Sequence, residues 1–241
     1  MIQYSLHALS WTVRPISLRP QAGGPLQVVD ASNTNFPPPS SPNSITNEDV
    51  RSRTFIGRLP GCIHQVLIEA GVIGDPRCDD QEERMQWVGE TDWEYETDLT
   101  LSPEQLEEDH VELVMEGLDT VARILIDDVE VATSKSQYVP LRIDLKRCLK
   151  KRSGSTSLNL HQQVQVHLKV QFYAPLRVIR QEEQRLGARP VNGDWAPFNF
   201  MRKAACNFGW DWGPKVATVG VWGKVSLQCW SGVRIDAIRP H

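Results

Sequence analysis

The chain's 241 residues (27.3 kDa, 40% hydrophobic) can bury one sizeable core as one large domain or two small ones. Its 26 basic and 30 acidic residues give a net charge of −4 and a pI near 5.9, which removes the basic footprint of a nucleic-acid binder. No run approaches the ~18 apolar residues of a membrane span, and the N-terminus lacks a signal-peptide pattern, so a cytoplasmic protein with neither membrane nor nucleic acid as partner is expected.

Residues 1–18 read as an N-terminal strand. Residues 19–53 are rich in Pro, Ser, Asn and Gly, with Pro37, Pro38 and Pro39 in succession, and are predicted to be a flexible insertion that cannot bury enough surface to offset its ordering entropy. LPGCIHQVLIEAG (59–71) predicts a short helix with Ile63, Val66, Leu67 and Ile68 on one face and Gly71 at a left-handed C-cap. From residue 85 the pattern becomes period two or short β-rich runs: 93–101, 111–118, 122–132, 138–145, 164–173 and 224–230. Ser102-Pro103, Gly117, Asp127-Asp128 and Ser153-Gly154 supply turns between them, and Asp127-Asp128 suits a hairpin because Asp tolerates positive φ. The exception is 174–187, which predicts a helix with Pro175 in its first turn and Gly187 at its end. The fold class is therefore all-β, an antiparallel sandwich or jelly roll with one or two short helices. Residues 54–232 are expected to form the sandwich domain, and 233–241 are expected, on the family resemblance given below, to begin a linker to a next domain.

Charge is uneven. Residues 75–119 hold 17 acidic side chains against two arginines, and 142–152 hold six basic ones against Asp144. The pattern fits solvated strand faces and a basic loop, or a docking surface. The five cysteines show no C-x-x-C spacing and read as free thiols, buried or partly buried; with six scattered histidines, no metal and no cofactor are expected. The histidines read as surface or hydrogen-bonded core residues.

No G-x-S-x-G, phosphate-binding loop, G-x-G-x-x-G or H-E-x-x-H occurs, so no catalytic residue is assigned. Eight tryptophans are unusual, and Trp195, Trp210, Trp212, Trp222 and Trp230 cluster near the C-terminus. Within 198–227, Arg202, Lys203, Trp210, Asp211, Trp212, Gly213 and Pro214 stand close together. An aromatic face beside a carboxylate and cations can take the apolar face and the hydroxyls of a sugar. The same residues could equally be a Trp-rich strand plugging the core, with Asp211 bonded to backbone in a Gly-Pro turn.

LPGCIHQVLIEAGVIGDP (59–76), Trp87 and Trp93 in QWVGETDWEYETDLTL, LVMEGLDTVARILIDDVEV (113–131) and FMRKAACNFGWDWGPKVATVGVW (200–222) together resemble the N-terminal domain of the β-mannosidases of glycoside hydrolase family 2. The resemblance spans about residues 55–235. It implies a galactose-binding-like jelly roll that, in the family, precedes an immunoglobulin-like domain and a (β/α)8 barrel carrying both catalytic glutamates of a retaining mechanism. On that likeness Asp211 accepts hydrogen bonds from sugar hydroxyls, and Trp210 walls the pocket with Trp212 beside it. Arg202 or Lys203 supports the loop or its carboxylate, and Gly213 and Pro214 fix the turn. The implied partners are a β-mannoside or mannose-terminated oligosaccharide and the two further domains. The insertion 19–53 has no counterpart, Asp127-Asp128 stands where the family often has Asn, and the chain stops at VRIDAIRPH, ahead of any barrel. By itself the chain is therefore expected to be inactive. A stand-alone lectin-like module and a structural interaction module are the competing readings.

Overall fold

The alternating runs pair into two antiparallel sheets in the computed structural model, which describes residues 1–17, 50–153, 162–191, 198–235 and 237–240. Most of the expected insertion 19–53 and Trp195 lie outside the described residues. In chain order the strands are β1 (Ile2–Ser5), β2 (Trp11–Ile16), β3 (Phe55–Gly57), β4 (Asp92–Leu101), β5 (His110–Met115), β6 (Leu118–Asp119) and β7 (Val121–Ile126). They continue as β8 (Val129–Lys135), β9 (Leu141–Asp144), β10 (Val164–Phe172), β11 (Gly220–Val221) and β12 (Val225–Trp230). One sheet has the order β3-β2-β4-β10-β7-β8 and the other β1-β12-β5-β9, while β6 and β11 pair separately. The first eighteen residues, expected to form one strand, thus give two strands in opposite sheets.

β10 shows why the sheets stack. Val166, Leu168, Val170 and Phe172 point inward and are buried, whereas Gln165, His167, Lys169 and Gln171 alternate to the outer face. Register places Phe172 opposite Trp93 and Val170 opposite Tyr95, and the Tyr95 and Phe172 rings meet edge-on at 5.7 Å. From the other sheet, Leu113 of β5 and Leu227 of β12 stand directly opposite one another and join the same core. Each such side chain contributes roughly 1.5–3 kcal/mol on leaving water. β12 is buried on both faces because Ser226 accepts from Gln3 at 3.0 Å and Gln228 accepts from Arg142 at 3.1 Å. Asp127 and Asp128, with φ of 48° and 64°, make the expected hairpin between β7 and β8.

Helix α1 (Ile63–Glu69) buries Ile63, Val66 and Leu67, and Gly71 takes the left-handed conformation after it. Ile68 departs from expectation: at 100° per residue it falls away from that face and is 37% exposed, while His64 turns inward. Two short segments, α2 (Gln81–Arg84) and α3 (Pro103–Glu107), add a helical turn each. In α3 the expected Ser102-Pro103 turn becomes helical because Ser102 Oγ accepts from the Gln105 amide at 3.3 Å and the Gln105 side chain accepts from the Ser102 amide at 2.9 Å. The basic stretch read as strand and loop contains α4 (Leu145–Ser153): Leu145 and Leu149, four apart, are buried, and Asp144 accepts from the Arg147 amide at 3.0 Å. The expected late helix is α5 (Pro175–Leu186). Asp92 accepts from the Ala174 amide at 2.8 Å and from Arg177, which fixes the start of α5 against β4.

Candidate functional site

Residues 198–218 form an irregular segment over a second, smaller apolar cluster. Val121, Leu176, Val178, Ile179, Met201, Phe208 and Ala217 fill it, with Phe198 and Phe200 packed alongside. The segment is tied to the stretch just after β8 by an anchor in which the Arg202 carbonyl accepts from the Gln137 amide at 2.9 Å and the Gln137 side chain accepts from the Ala204 amide at 2.7 Å. It then makes a short 3-10 turn, Ala205–Phe208, and rises to a tight hairpin.

That hairpin carries the residues singled out in the sequence. Trp210 and Gly213 exchange backbone hydrogen bonds of 3.2 and 3.3 Å, leaving Asp211 and Trp212 at the tip. Neither tip residue has positive φ, which excludes turn types I′, II and II′. Gly209, just before the hairpin, has a φ of 101°, and a Cβ there would stand 2.5 Å from Lys215 Cγ, so only glycine lets the two legs of the loop come together. Trp210 is 50% and Trp212 72% exposed, and Asp211 is exposed with no partner among the described residues. The core-plug alternative, with Asp211 bonded to backbone, is therefore not what forms. Two indoles and a free carboxylate face solvent together, a combination able to stack on an apolar ring face and to accept hydrogen bonds from hydroxyls.

The two cations do not reach Asp211. Arg202 is exposed and has no side-chain partner among the described residues. Lys203 is fully buried, and its Nζ donates to Asp119 Oδ1 at 2.5 Å, to Asp119 Oδ2, and to the carbonyl and hydroxyl oxygens of Thr218, both at 2.8 Å. The Thr218 hydroxyl donates to Asp119 Oδ2 at 2.6 Å and accepts from Asn207 Nδ2, while the Thr120 hydroxyl donates to Asp119 Oδ1. Burial pulls the Lys203 ammonium below its ordinary pKa, and the Asp119 carboxylate opposes that pull. The carboxylate that Lys203 supports is thus Asp119, not Asp211.

Sequence reasoning passed over Asp119, although an acid inside the apolar run LVMEGLDTVARIL was a signal. It also passed over His64 and Tyr95. Both are buried, and His64 Nδ1 and the Tyr95 hydroxyl have no hydrogen-bond partner among the described residues. Burial, with the nearby Lys203 charge, lowers the His64 pKa to about 3, so this imidazole is neutral. Of the remaining tryptophans, Trp222 lies half-exposed over Gly117, and Trp230 stacks on His110 and carries the Arg234 guanidinium over its ring. All five cysteines are free thiols, and Cys78 is exposed, contrary to expectation. Among the described residues no helix is long and apolar enough to cross a membrane, and no group of His, Cys, Asp and Glu could hold a metal.

Comparison with known proteins gives a consistent answer. A family profile described as the glycosyl hydrolase 2 galactose-binding domain-like family matches residues 44–223. A beta-mannosidase of Capra hircus is 28% identical over 181 residues, covering 72% of this chain and 19% of that protein. Beta-mannosidase A of Aspergillus terreus is 30% identical over 187 residues, covering 73% and 18%. This chain spans about a fifth of the length of these relatives. Among solved structures, a beta-D-mannosidase from Dictyoglomus thermophilum superimposes with a TM-score of 0.72 at 24% identity, over 96% of this chain and 23% of that one. The fold of this chain is shared with a part of that protein.

Proposed function

The chain belongs to the glycosyl hydrolase 2 galactose-binding domain-like family, and on that premise we propose that residues 54–232 are the non-catalytic, sugar-facing domain of a β-mannosidase-type glycosidase. One observation carries the reading: the hairpin Trp210-Asp211-Trp212-Gly213 presents two exposed indoles beside an exposed carboxylate that has no partner among the described residues, on a stem closed by the Trp210–Gly213 backbone hydrogen bonds. A pyranose brings an apolar C–H face and a ring of hydroxyls, the complements of an indole face and a carboxylate. Asp211 orients the sugar through its hydroxyls, Trp210 and Trp212 shape the walls, and Gly213 with Pro214 holds the turn. Relatives named beta-mannosidase, 28% and 30% identical over the matched residues, support a terminal β-mannoside as the sugar.

Titration with methyl β-D-mannoside, followed by tryptophan fluorescence, tests the assignment. Asp211→Ala is expected to weaken the response at least ~10-fold, a hydrogen bond to a charged group contributing roughly 1.5–3 kcal/mol. The isolated chain is expected to release no aryl group from an aryl β-mannoside. Reproducible, dose-dependent release, or a fluorescence response that Asp211→Ala leaves intact, contradicts the proposal.

A further inference from the structure

We infer that Asp119 is the positioning residue of the sugar-facing hairpin: its carboxylate clamps the loop 203–218 shut at the base, Lys203 on one side and Thr218 on the other. The clamp is a property of the chain by itself; only its consequence for sugar binding rests on the function proposed above.

The hairpin stands midway between the two clamped residues. Asp119 sits on β6, whose pairing with β11 sets Asp119 opposite Gly220, two residues beyond Thr218. Helix α1 and the turn before it hold β11 from the far side, the Gly61 amide donating to the Val221 carbonyl at 2.9 Å and the Ile63 amide to the Val219 carbonyl at 2.8 Å. The carboxylate is therefore fixed to the scaffold and not to the loop. The Thr218 hydroxyl uses its whole capacity there, donating once to Asp119 and accepting from Lys203 and Asn207. Further rungs continue upward. Asn207 ties back to Thr218, Gly209 packs on Lys215, the Gln86 side chain donates to the Lys215 carbonyl at 2.7 Å, and Trp210 pairs with Gly213.

An ion pair suits this task better than apolar packing. Well-packed hydrophobic residues of similar volume often stabilise as well as a buried pair, but they tolerate sliding. Lys203 and Asp119, both removed from water, tolerate none, because any slip of the loop leaves an unpaired charge in the interior.

The test labels the whole chain with 5-fluorotryptophan and reads each fluorine resonance, with Trp→Phe substitutions for assignment and no sugar present. Thr218→Val removes the hydroxyl hub and keeps both charges; Asp119→Asn combined with Lys203→Met removes the charges together. The Trp210 and Trp212 resonances are expected to shift or broaden in both variants, those of Trp11 and Trp93 to stay, and amide exchange at 209–213 to quicken at least ~10-fold. Unmoved Trp210 and Trp212 resonances alongside a lowered melting temperature would make the pair a stability element only and overturn the clamp. Should the doubly substituted chain not fold, Thr218→Val decides alone. A loosened hairpin in a protein that binds no mannoside sustains the clamp and removes the sugar-facing reading, whereas an unmoved hairpin in a protein that binds mannoside removes the clamp alone.

Discussion

Between the two sheets the buried groups are rings and branched aliphatics, Trp93, Tyr95, Phe172 and Leu227, whereas at the base of the hairpin loop a buried ion pair, Lys203 with Asp119, accompanies a small apolar cluster. Both regions are dry, yet they are specified differently. Apolar burial is non-directional and roughly proportional to area, so the sandwich gains stability from every neighbour and fixes no single contact. A buried charge is directional and costly unless matched, so the loop gains one geometry more than it gains stability. On the function proposed above, the difference follows a division of labour: the sandwich holds the domain together, and the clamped loop holds Trp210, Asp211 and Trp212 in place for a sugar.

The sharpest contrast comes from cutting the clamp on one side. Lys203→Met or Asp119→Asn, each leaving its partner buried without a counter-charge, is expected to cost about 3–5 kcal/mol in urea unfolding, while the two together recover a large part of that loss. Additive losses in the double variant would contradict a paired clamp. Leu227→Ala in the sandwich is expected to cost about 2–5 kcal/mol through lost transfer energy and the cavity left behind, but to leave the fluorine resonances of Trp210 and Trp212 in place.

A pH effect of intermediate size separates the two regions again. His64 stays neutral in the folded protein down to about pH 3, while in the unfolded chain it takes up a proton near its ordinary 6.5. Below 6.5 the unfolded state therefore binds more protons, and stability falls by about 1.4 kcal/mol per pH unit from this residue until the folded imidazole titrates. His64→Leu is expected to flatten the stability profile between those limits and to leave it unchanged above pH 7; an identical slope in the two proteins would contradict a buried neutral imidazole. The smallest expected effect is on stability at the tip. Trp212→Ala, removing a side chain that is 72% exposed, is expected to change unfolding by no more than about 0.5 kcal/mol while weakening the mannoside response.

Most of the sandwich could be read in the sequence because alternation is local: β4, β10 and β12 each display their inward side chains within a few residues. The hairpin was legible for the same reason, its Trp, Asp, Trp and Gly being adjacent. Helix α4 was hidden because only Leu145 and Leu149 mark its buried face amid five basic residues. The partner of Lys203 was hidden by distance, since Asp119 is 84 residues away in the chain and only the β6–β11 pairing brings them together. Asp211, eight positions on, is the nearer carboxylate in the chain, whereas the Lys203 ammonium pairs with Asp119.

The central claim is that the hairpin faces a sugar. A fluorine NMR titration of the 5-fluorotryptophan-labelled chain with methyl β-D-mannoside tests it residue by residue. The account predicts saturable shifts at Trp210 and Trp212, none at Trp11 or Trp93, and their loss in Asp211→Ala. Shifts centred on Trp222 or Trp230, or none at Trp210 and Trp212 at saturating sugar, would contradict it.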